Sequence, residues 1–422
     1  MRIRLAMAAA CAVLFGVIPS APAQADEPRT PQPAVIRSLD IPAPGGVGFV
    51  AATNRIVVPG FSDGVAQIVD VAEWSSLGEI ATNVPAQSLV QVHPETGLAY
   101  LAGREPIVSV IDTNSVSAGP QIPMTPNDVN ATSTLISQAD VPLLLVSFAP
   151  GVSPGAVALI STVTNFRRGT IELPYETTSM AIPQDRLLML MADSASGRLL
   201  FLDTFFAPFG EVALGGTPSQ ILTSPDGGRA YVSNPTTGRI DIINIDDVAL
   251  VGSIDVGVGV SQMALSPTGL SLAALIPETN EIVSVDLTTA SVTSRGSLGT
   301  EAVGLAYGND DRIVYVADRG GNALLAVDLL HEFPSKPLRL KVKPSEGKAR
   351  VSWKAPSVQG TAPVVRYRVT TLPKAGSCTS TKRSCTIQGL KPGKAYRFQV
   401  VAETEVGAGA PAVSKPIRIP RG

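Results

Sequence analysis

The sequence predicts an all-β protein that begins with a seven-bladed β-propeller over residues 26–333. Seven short segments, each at the end of a hydrophobic strand, recur with a spacing near 42 residues, and one interval is longer, at 49. A fixed period of this length is typical of propeller blades, because a blade cannot bury both of its apolar faces alone and must stack in a ring. The seven segments are centred on Asp70, Asp112, Ser161, Asp203, Asn244, Asp286 and Asp328.

Residues 1–25 have the pattern of a secretory signal peptide. Arg2 and Arg4 precede an apolar run that is short for a membrane span, and small residues precede Asp26. Cys11 lies in that run without the leucine that opens a lipoprotein cleavage site, so we expect no lipid anchor. No later stretch reaches about 18 apolar residues, so we expect no membrane span. These features predict a secreted, extracellular protein, and association with the cell wall would be compatible with them.

Charge divides the chain into two unequal parts. Residues 26–333 contain 13 arginines, no lysine and 32 acidic residues, a net charge of −19. Residues 334–422 contain 18 basic and 3 acidic residues, a net charge of +15. Such an asymmetry suggests separate partners, or docking of the two parts on each other. We therefore expect the basic module to hold a protein or an anionic cell-envelope polysaccharide, or to dock on the acidic propeller. Nucleic acid is disfavoured, because export and the lack of an aromatic stacking platform argue against it.

The blade pattern is clearest from residue 216 onward. Alternating or continuously apolar segments at 219–224, 229–233, 239–245 and 250–255 are separated by turns rich in Pro, Gly, Asp and Asn. The last blade lacks an outer strand of its own, whereas residues 35–41 form a strand without a blade. We expect strand 35–41 to complete the last blade and close the ring, which removes an exposed sheet edge.

The repeat resembles the YVTN-type, lactonase-like seven-bladed propellers. Residues 230–234 (AYVSN) follow a Ser-Pro-Asp-Gly turn, and residues 315–318 (YVAD) repeat the motif, with a looser copy at residues 100–103 (YLAG). The resemblance covers about 300 residues and implies the fold. The resemblance says little about function, because such propellers include both enzymes and binding scaffolds.

The basic segment, from Ser335 onward, resembles a fibronectin type III domain, which implies a C-terminal β-sandwich. Trp353 and Tyr367 lie on predicted strands, and residues 390–400 match the tyrosine corner of that family. Cys378 and Cys385 fall on what we take to be a hairpin of this module. An exported protein favours a disulfide between them, and a metal site is disfavoured because the two histidines are distant in sequence.

Motifs for nucleophilic catalysis are weak in this chain. Gly151 and Ser153 belong to a G-x-S-x-G pattern, but a strand is predicted after it where a nucleophile elbow needs a helix. His93 occupies a turn position and His331 lies in the linker between domains, so neither is placed as a base. The periodic aspartates are interpreted as turn caps rather than a ring of catalytic carboxylates.

Loop carboxylates are the remaining candidates for chemistry. Two of them could serve as acid and base on a sugar, several could hold Ca²⁺, and otherwise they are solvated loop charges. The loops that enter the inner strands carry the weak catalytic candidates Asp128, Glu176 and Glu301. The neighbouring loops form the candidate ligand-binding face, with Asp63, Glu105, Asp193, Glu278 and Asp318, together with Gly151 and Ser153 in the extended third-blade loop.

The sequence thus favours a non-enzymatic binding or scaffold protein. In this hypothesis the loop face of the propeller contacts a partner, and the basic module tethers or spaces the propeller. The cell envelope is one place where such a tether could act. The alternative is a propeller enzyme, either lactonase-like or lyase-like, or a glycosidase with the C-terminal module as its accessory. No cofactor is expected, with Ca²⁺ as the only ion considered.

Overall fold

The computed structural model describes residues 31–421 apart from 62, 83–86, 125–130, 137–141, 149–154 and 176. Every regular element in these residues is a β-strand. The described part of the chain contains no helix that is long and apolar enough to cross a membrane. Seven four-stranded antiparallel sheets form the first domain and two further sheets form the second, so the all-β fold class is confirmed.

Each of the seven sheets is one blade. A single strand, β1 (Gln32–Asp40), precedes the first blade. From the channel outward, blade 1 comprises β2 (Gly48–Val50), β3 (Arg55–Pro59), β4 (Val65–Asp70) and β5 (Ser75–Ala81). Blade 2 comprises β6 (Gln87–Val92), β7 (Leu98–Gly103), β8 (Ile107–Asp112) and β9 (Ser117–Pro123). Blade 3 comprises β10 (Ala131–Ile136), β11 (Leu143–Phe148), β12 (Ala156–Ser161) and β13 (Arg167–Glu172).

The remaining blades follow the same order. Blade 4 comprises β14 (Thr177–Ala181), β15 (Met189–Asp193), β16 (Arg198–Leu202) and β17 (Pro208–Ala213). Blade 5 comprises β18 (Ile221–Thr223), β19 (Arg229–Asn234), β20 (Arg239–Asn244) and β21 (Ala249–Asp255). Blade 6 comprises β22 (Gln262–Leu265), β23 (Ser271–Ile276), β24 (Glu281–Asp286) and β25 (Ser291–Ser297). Blade 7 comprises β26 (Ala302–Tyr307), β27 (Ile313–Asp318), β28 (Ala323–His331) and β1 as its outer strand.

The ring is closed by a strand from the opposite end of the domain. β1 pairs antiparallel with β28, in a register that runs from Ala34 opposite Asp328 to Asp40 opposite Ala323. The N–H of Ile41 then donates to the carbonyl of Asn322 at 2.8 Å. The strand begins three residues earlier than the sequence pattern suggests. It covers an edge that would otherwise expose unpaired backbone groups.

The hydrophobic core lies between blades rather than within them. Ile240 and Ile242 of blade 5 pack against Met263 and Leu272 of blade 6. The neighbouring residue Ile243 belongs instead to the cluster shared with blade 4. Alternate residues of one strand therefore serve two different interfaces, and this explains why central strands of the blades are apolar at almost every position.

In blades 1 to 6, the polar residues that mark the period cap the turns after the third strand. Asp286 accepts hydrogen bonds from the N–H groups of Thr288 and Thr289, at 2.7 and 3.1 Å. His93 does the same in a different turn, because its Nδ1 accepts from the N–H groups of Glu95 and Thr96. The interpretation as turn caps is confirmed for blades 1 to 6, whereas Asp328 lies within β28 and bonds to Arg312 and His331.

The second domain is a two-sheet sandwich around one aromatic core. Trp353 lies 5.3 Å from Tyr367, ring centroid to ring centroid, and the hydroxyl of Tyr396 accepts the N–H of Lys391 at 3.3 Å. One sheet contains β29 (Leu338–Ser345), β30 (Lys348–Lys354) and β33 (Ser384–Gln388), and the other contains β31 (Arg366–Leu372), β32 (Ser377–Ser380), β34 (Ala395–Glu403), β35 (Ala412–Val413) and β36 (Ile417–Arg418).

Cys378 and Cys385 form a disulfide with a Cα–Cα separation of 6.3 Å. The pairing is confirmed, but the hairpin expected around it is wrong. β32 and β33 are consecutive in sequence and belong to different sheets, because the chain crosses the sandwich at residues 381–383. The disulfide therefore links the two sheets of the sandwich.

Replacing both cysteines should destabilise the second domain. The combined Cys378→Ser and Cys385→Ser variant is expected to lower its free energy of unfolding by about 2 kcal/mol, since the bridge closes a short loop in the unfolded chain. Denaturant titration followed by Trp353 emission measures this, with Trp74→Phe present in both proteins. Reduced parent protein is the control and should match the variant. Equal stability of the oxidised parent and the variant would contradict the expectation.

Candidate functional site

The inner strands of all seven blades surround a channel on the ring axis. Its cavity has a volume of about 390 Å³. Among the described residues that line it, none is charged and none is aromatic. The polar lining consists of hydroxyl and amide side chains: Gln91, Thr132, Ser133, Thr134, Thr178, Ser179, Ser219, Gln220, Thr223, Ser261 and Gln262.

Many of these polar side chains connect one blade to the next. The hydroxyl of Thr132 in blade 3 donates to the carbonyl of Thr177 in blade 4, at 2.9 Å. The adjacent Ser133 accepts the N–H of Met180 at 3.3 Å. A Thr-Ser pair in one inner strand thus satisfies both a donor and an acceptor of the neighbouring strand, whose edge faces the channel.

The same arrangement repeats one blade further on. Thr178 donates to the carbonyl of Pro218 at 3.0 Å, and Ser179 accepts the N–H of Ile221 at 3.1 Å. We call this series of contacts the interblade ladder. It continues from blade 5 to blade 6 through Gln220, whose amide both donates to the carbonyl of Met263 and accepts its N–H.

The interblade ladder stops at blade 6. Gln262 occupies the position equivalent to Gln220, yet its amide makes no hydrogen bond within the described part of the chain. The facing inner strand has Gly304, where an added Cβ would lie 3.1 Å from the Cα of Gly46 in the approach to blade 1. The channel wall between blades 6 and 1 therefore lacks the polar contacts that connect blades 3 to 6.

Two of the predicted loop carboxylates are buried and bonded to backbone or side-chain groups of the same loop face. Asp318 is 3% exposed and accepts the N–H groups of Thr300, Glu301 and Gly321, at 2.9 to 3.2 Å. Asp193 is 7% exposed and accepts from the N–H and hydroxyl of Ser196. These two carboxylates hold the ends of second strands in place and offer little surface to a ligand.

Glu301 is engaged at the same face. Its carboxylate pairs with the guanidinium of Arg319, which also lies 4.3 Å above the ring of Phe61 in blade 1. The hydrogen bond from Arg319 lowers the pKa of Glu301 below its ordinary value. A general acid on a sugar needs a carboxyl group that retains its proton near neutral pH. Glu301 is therefore unsuited to that role.

The other described candidates are exposed and lie on separate blades. Asp63 accepts the N–H of Val65 at 3.1 Å, and the side chains of Glu105 and Glu278 form no hydrogen bond or ion pair with other described residues. All three follow second strands, so they lie on one loop face. Among the described residues, no three His, Cys, Asp or Glu side chains come together as a metal site. The remaining candidates, Asp128, Glu176, Gly151 and Ser153, lie outside the described residues.

The two domains meet beside β28 of blade 7, in a region that we call the joint. It contains a cluster of hydrogen-bonded charged side chains within the first domain. Asp328 accepts two hydrogen bonds from Arg312, at 2.6 and 2.7 Å, and one from Nδ1 of the buried His331 at 3.1 Å. Burial alone would raise the pKa of Asp328, but the hydrogen bonds from Arg312 and His331 lower it overall. Arg312 also donates to the hydroxyl of Thr361 in the second domain, at 3.2 Å.

Apolar contact completes this joint. The ring of Phe333 lies 4.8 Å from that of His331 and packs on Gly407, where an added Cβ would come within 2.6 Å of it. The N–H of Thr361 donates to the carbonyl of Glu332 at 2.8 Å. The joint thus depends on short-range packing and hydrogen bonds, whereas docking of a basic module on an acidic one would depend on long-range attraction.

The interblade ladder should contribute to the stability of the ring. Gln220→Leu leaves the N–H and carbonyl of Met263 without their partner, and we expect a loss of about 1 to 3 kcal/mol in the free energy of unfolding. Gln262→Leu is the matched control, since that amide bonds to no described residue, and its effect should stay within about 0.5 kcal/mol. Denaturant titrations of both variants test this, and equal losses would contradict a specific role for Gln220.

The contact between the two domains should not depend on salt concentration. Small-angle scattering of the full-length protein is expected to give the same radius of gyration from low to high salt, because packing and buried hydrogen bonds are only weakly screened. Gly407→Val, which displaces Phe333, should enlarge the particle at every salt concentration. Expansion of the parent protein with rising salt would instead support electrostatic docking of the two domains.

Comparison with known proteins supports the fold. Residues 335–419 match the family model of the fibronectin type III domain. Among curated proteins, no sequence matches the chain significantly. Kuenenia stuttgartiensis hydrazine synthase has a similar structure, with a TM-score of 0.59 and 15% identity over 69% of this chain and 97% of that one. Significant structural matches extend to 1640 solved chains.

An identity of 15% carries information about the fold and none about the reaction. Seven antiparallel sheets in a ring closed by β1, followed by a sandwich with a tyrosine corner, agree with these comparisons. The chain is a seven-bladed β-propeller followed by a fibronectin type III domain.

Proposed function

We propose that this chain is an exported, non-enzymatic binding protein. In this proposal the loop face of the propeller contacts a partner, and the basic second domain tethers the protein at the cell envelope. The observation that carries the proposal is the channel lining, which contains no charged side chain among the described residues. Hydroxyl and amide groups line the channel, while Asp193, Asp318 and Glu301 are bonded within the protein.

Exposed loop charges favour recognition by this face. Asp63, Glu105 and Glu278 project from three different blades, and no ion pair with a described residue neutralises them. Separated charges on a rigid ring suit a broad partner surface better than a small substrate, which would need them to converge. The disulfide between Cys378 and Cys385 agrees with an oxidising compartment outside the cytosol.

Asp128 and Glu176 are the carboxylates on which the enzyme alternative rests. Full-length protein should give no turnover above the buffer rate on a panel of lactones and polysaccharides, and Asp128→Asn, Glu176→Gln and Glu301→Gln should behave identically. Turnover that is present in the parent protein and abolished by Asp128→Asn or Glu176→Gln would contradict the proposal and establish a catalytic channel.

The loop face is tested by binding. Full-length protein should bind isolated cell envelopes in cosedimentation, and the triple variant Asp63→Asn, Glu105→Gln, Glu278→Gln should change the retained fraction at least about threefold, as expected when interface charges are removed. The matched control is Glu73→Gln, Glu95→Gln, Asp185→Asn, which removes equal charge from exposed loops at the opposite ends of the strands. An equal effect of both triple variants would rule out a specific role for the face.

A further inference from the structure

On one outer surface of the second domain, every charged residue of the strands is a cation. The exposed residues of β29 and β30 alternate with residues that face the sandwich core, so their side chains emerge on the same side. The register places Lys343 directly opposite Arg350. We call this surface the basic face, and its cations are Arg339, Lys341, Lys343, Lys348, Arg350 and Lys354.

The cations of the basic face have no acidic partners within the described residues. None of the six takes part in an ion pair there, and all six are exposed. The opposite sheet differs. Arg366 and Arg368 both pair with Glu403, at 2.7 Å each. Two cations of the opposite sheet thus share one carboxylate, whereas none of the six on the basic face pairs with an acidic side chain among the described residues.

The spacing of the basic face is regular in two directions. Residues two apart along a strand lie about 7 Å from each other, and neighbouring strands lie about 5 Å apart. A β-bulge at the start of β29 adds Arg339, whose φ of 51° is unusual for a residue other than glycine. A flat grid of this kind presents several cations at once to an extended chain with closely spaced negative groups.

Protection of a sheet edge does not account for the whole pattern. Lysines often occupy edge strands because they discourage pairing with other chains. That reason covers Lys341 and Lys343, since β29 is an edge strand. It does not cover Lys348, Arg350 and Lys354, because β30 is the central strand of its sheet.

The geometry points to the basic face as a binding site for a linear anionic polysaccharide with an acidic group on each sugar. This inference rests on the proposed function and names the surface and the ligand chemistry of the tether. Four of the six cations are lysines, which contact carboxylate or phosphate as point charges without a fixed orientation. Trp353 and Tyr367 are buried in the core, so the face offers no aromatic platform on which nucleic-acid bases would stack.

The test compares two triple variants of the full-length protein. Lys341→Gln, Lys343→Gln and Arg350→Gln remove three charges from the basic face. Lys374→Gln, Lys391→Gln and Arg397→Gln remove three exposed charges elsewhere on the same domain. Binding to polygalacturonate, which has one carboxylate per sugar, is measured by calorimetry across a salt series, with neutral dextran and a single-stranded oligonucleotide as comparison polymers.

We expect the basic-face variant to weaken polygalacturonate binding about tenfold or more at low salt and to flatten its salt dependence, since fewer counterions are released. The control variant should lose about threefold or less, and dextran should not bind. Equal losses in both variants, no binding of polygalacturonate, or tighter binding of the oligonucleotide would each overturn the inference. Shortening of the polymer during the assay would contradict the proposed function alone, because it reports cleavage and not the site of binding.

Discussion

Packing between blades is the interaction on which the rest of this structure depends. Each blade presents apolar residues on both sides, as Ile242 and Ile243 show by joining different clusters. Such a sheet has no solvent-facing side and is stable only between two neighbours. The ring must therefore close, and closure brings Asp328 and His331 together with the first strand at the point where the second domain begins.

The same requirement governs the channel. Inner strands meet around the axis, where backbone edges cannot pair with a further strand, and the interblade ladder satisfies several of them with hydroxyls and one amide. Several polar residues of the channel, among them Thr132, Ser179 and Gln220, thus hold adjacent blades together. In the function proposed above, recognition therefore falls to the loops and to the second domain.

The sequence supports the architecture much better than the site. Blade period, turn caps and the closing strand follow from local patterns, since Asp286 and its equivalents bond within a few residues of themselves. The role of Ser179 does not, because its partner Ile221 lies in another blade and no local rule pairs them. The sequence does contain one signal for these contacts: Thr-Ser pairs begin at residues 132 and 178, and glutamines occupy the equivalent positions 220 and 262. Likewise, the cations of the second domain could be assigned to the basic face only once the bounds and register of β29 and β30 were known.

Closure by β1 also sets an order of events in folding. The first strand of the domain emerges from the ribosome long before β28, yet it has no other place in the sheet pattern. Until the last blade is made, β1 and the open side of blade 1 remain without their partners, and the domain carries contacts of very long sequence separation. A ring of this design therefore stays open to mispairing until its last strand is available, wherever the chain folds.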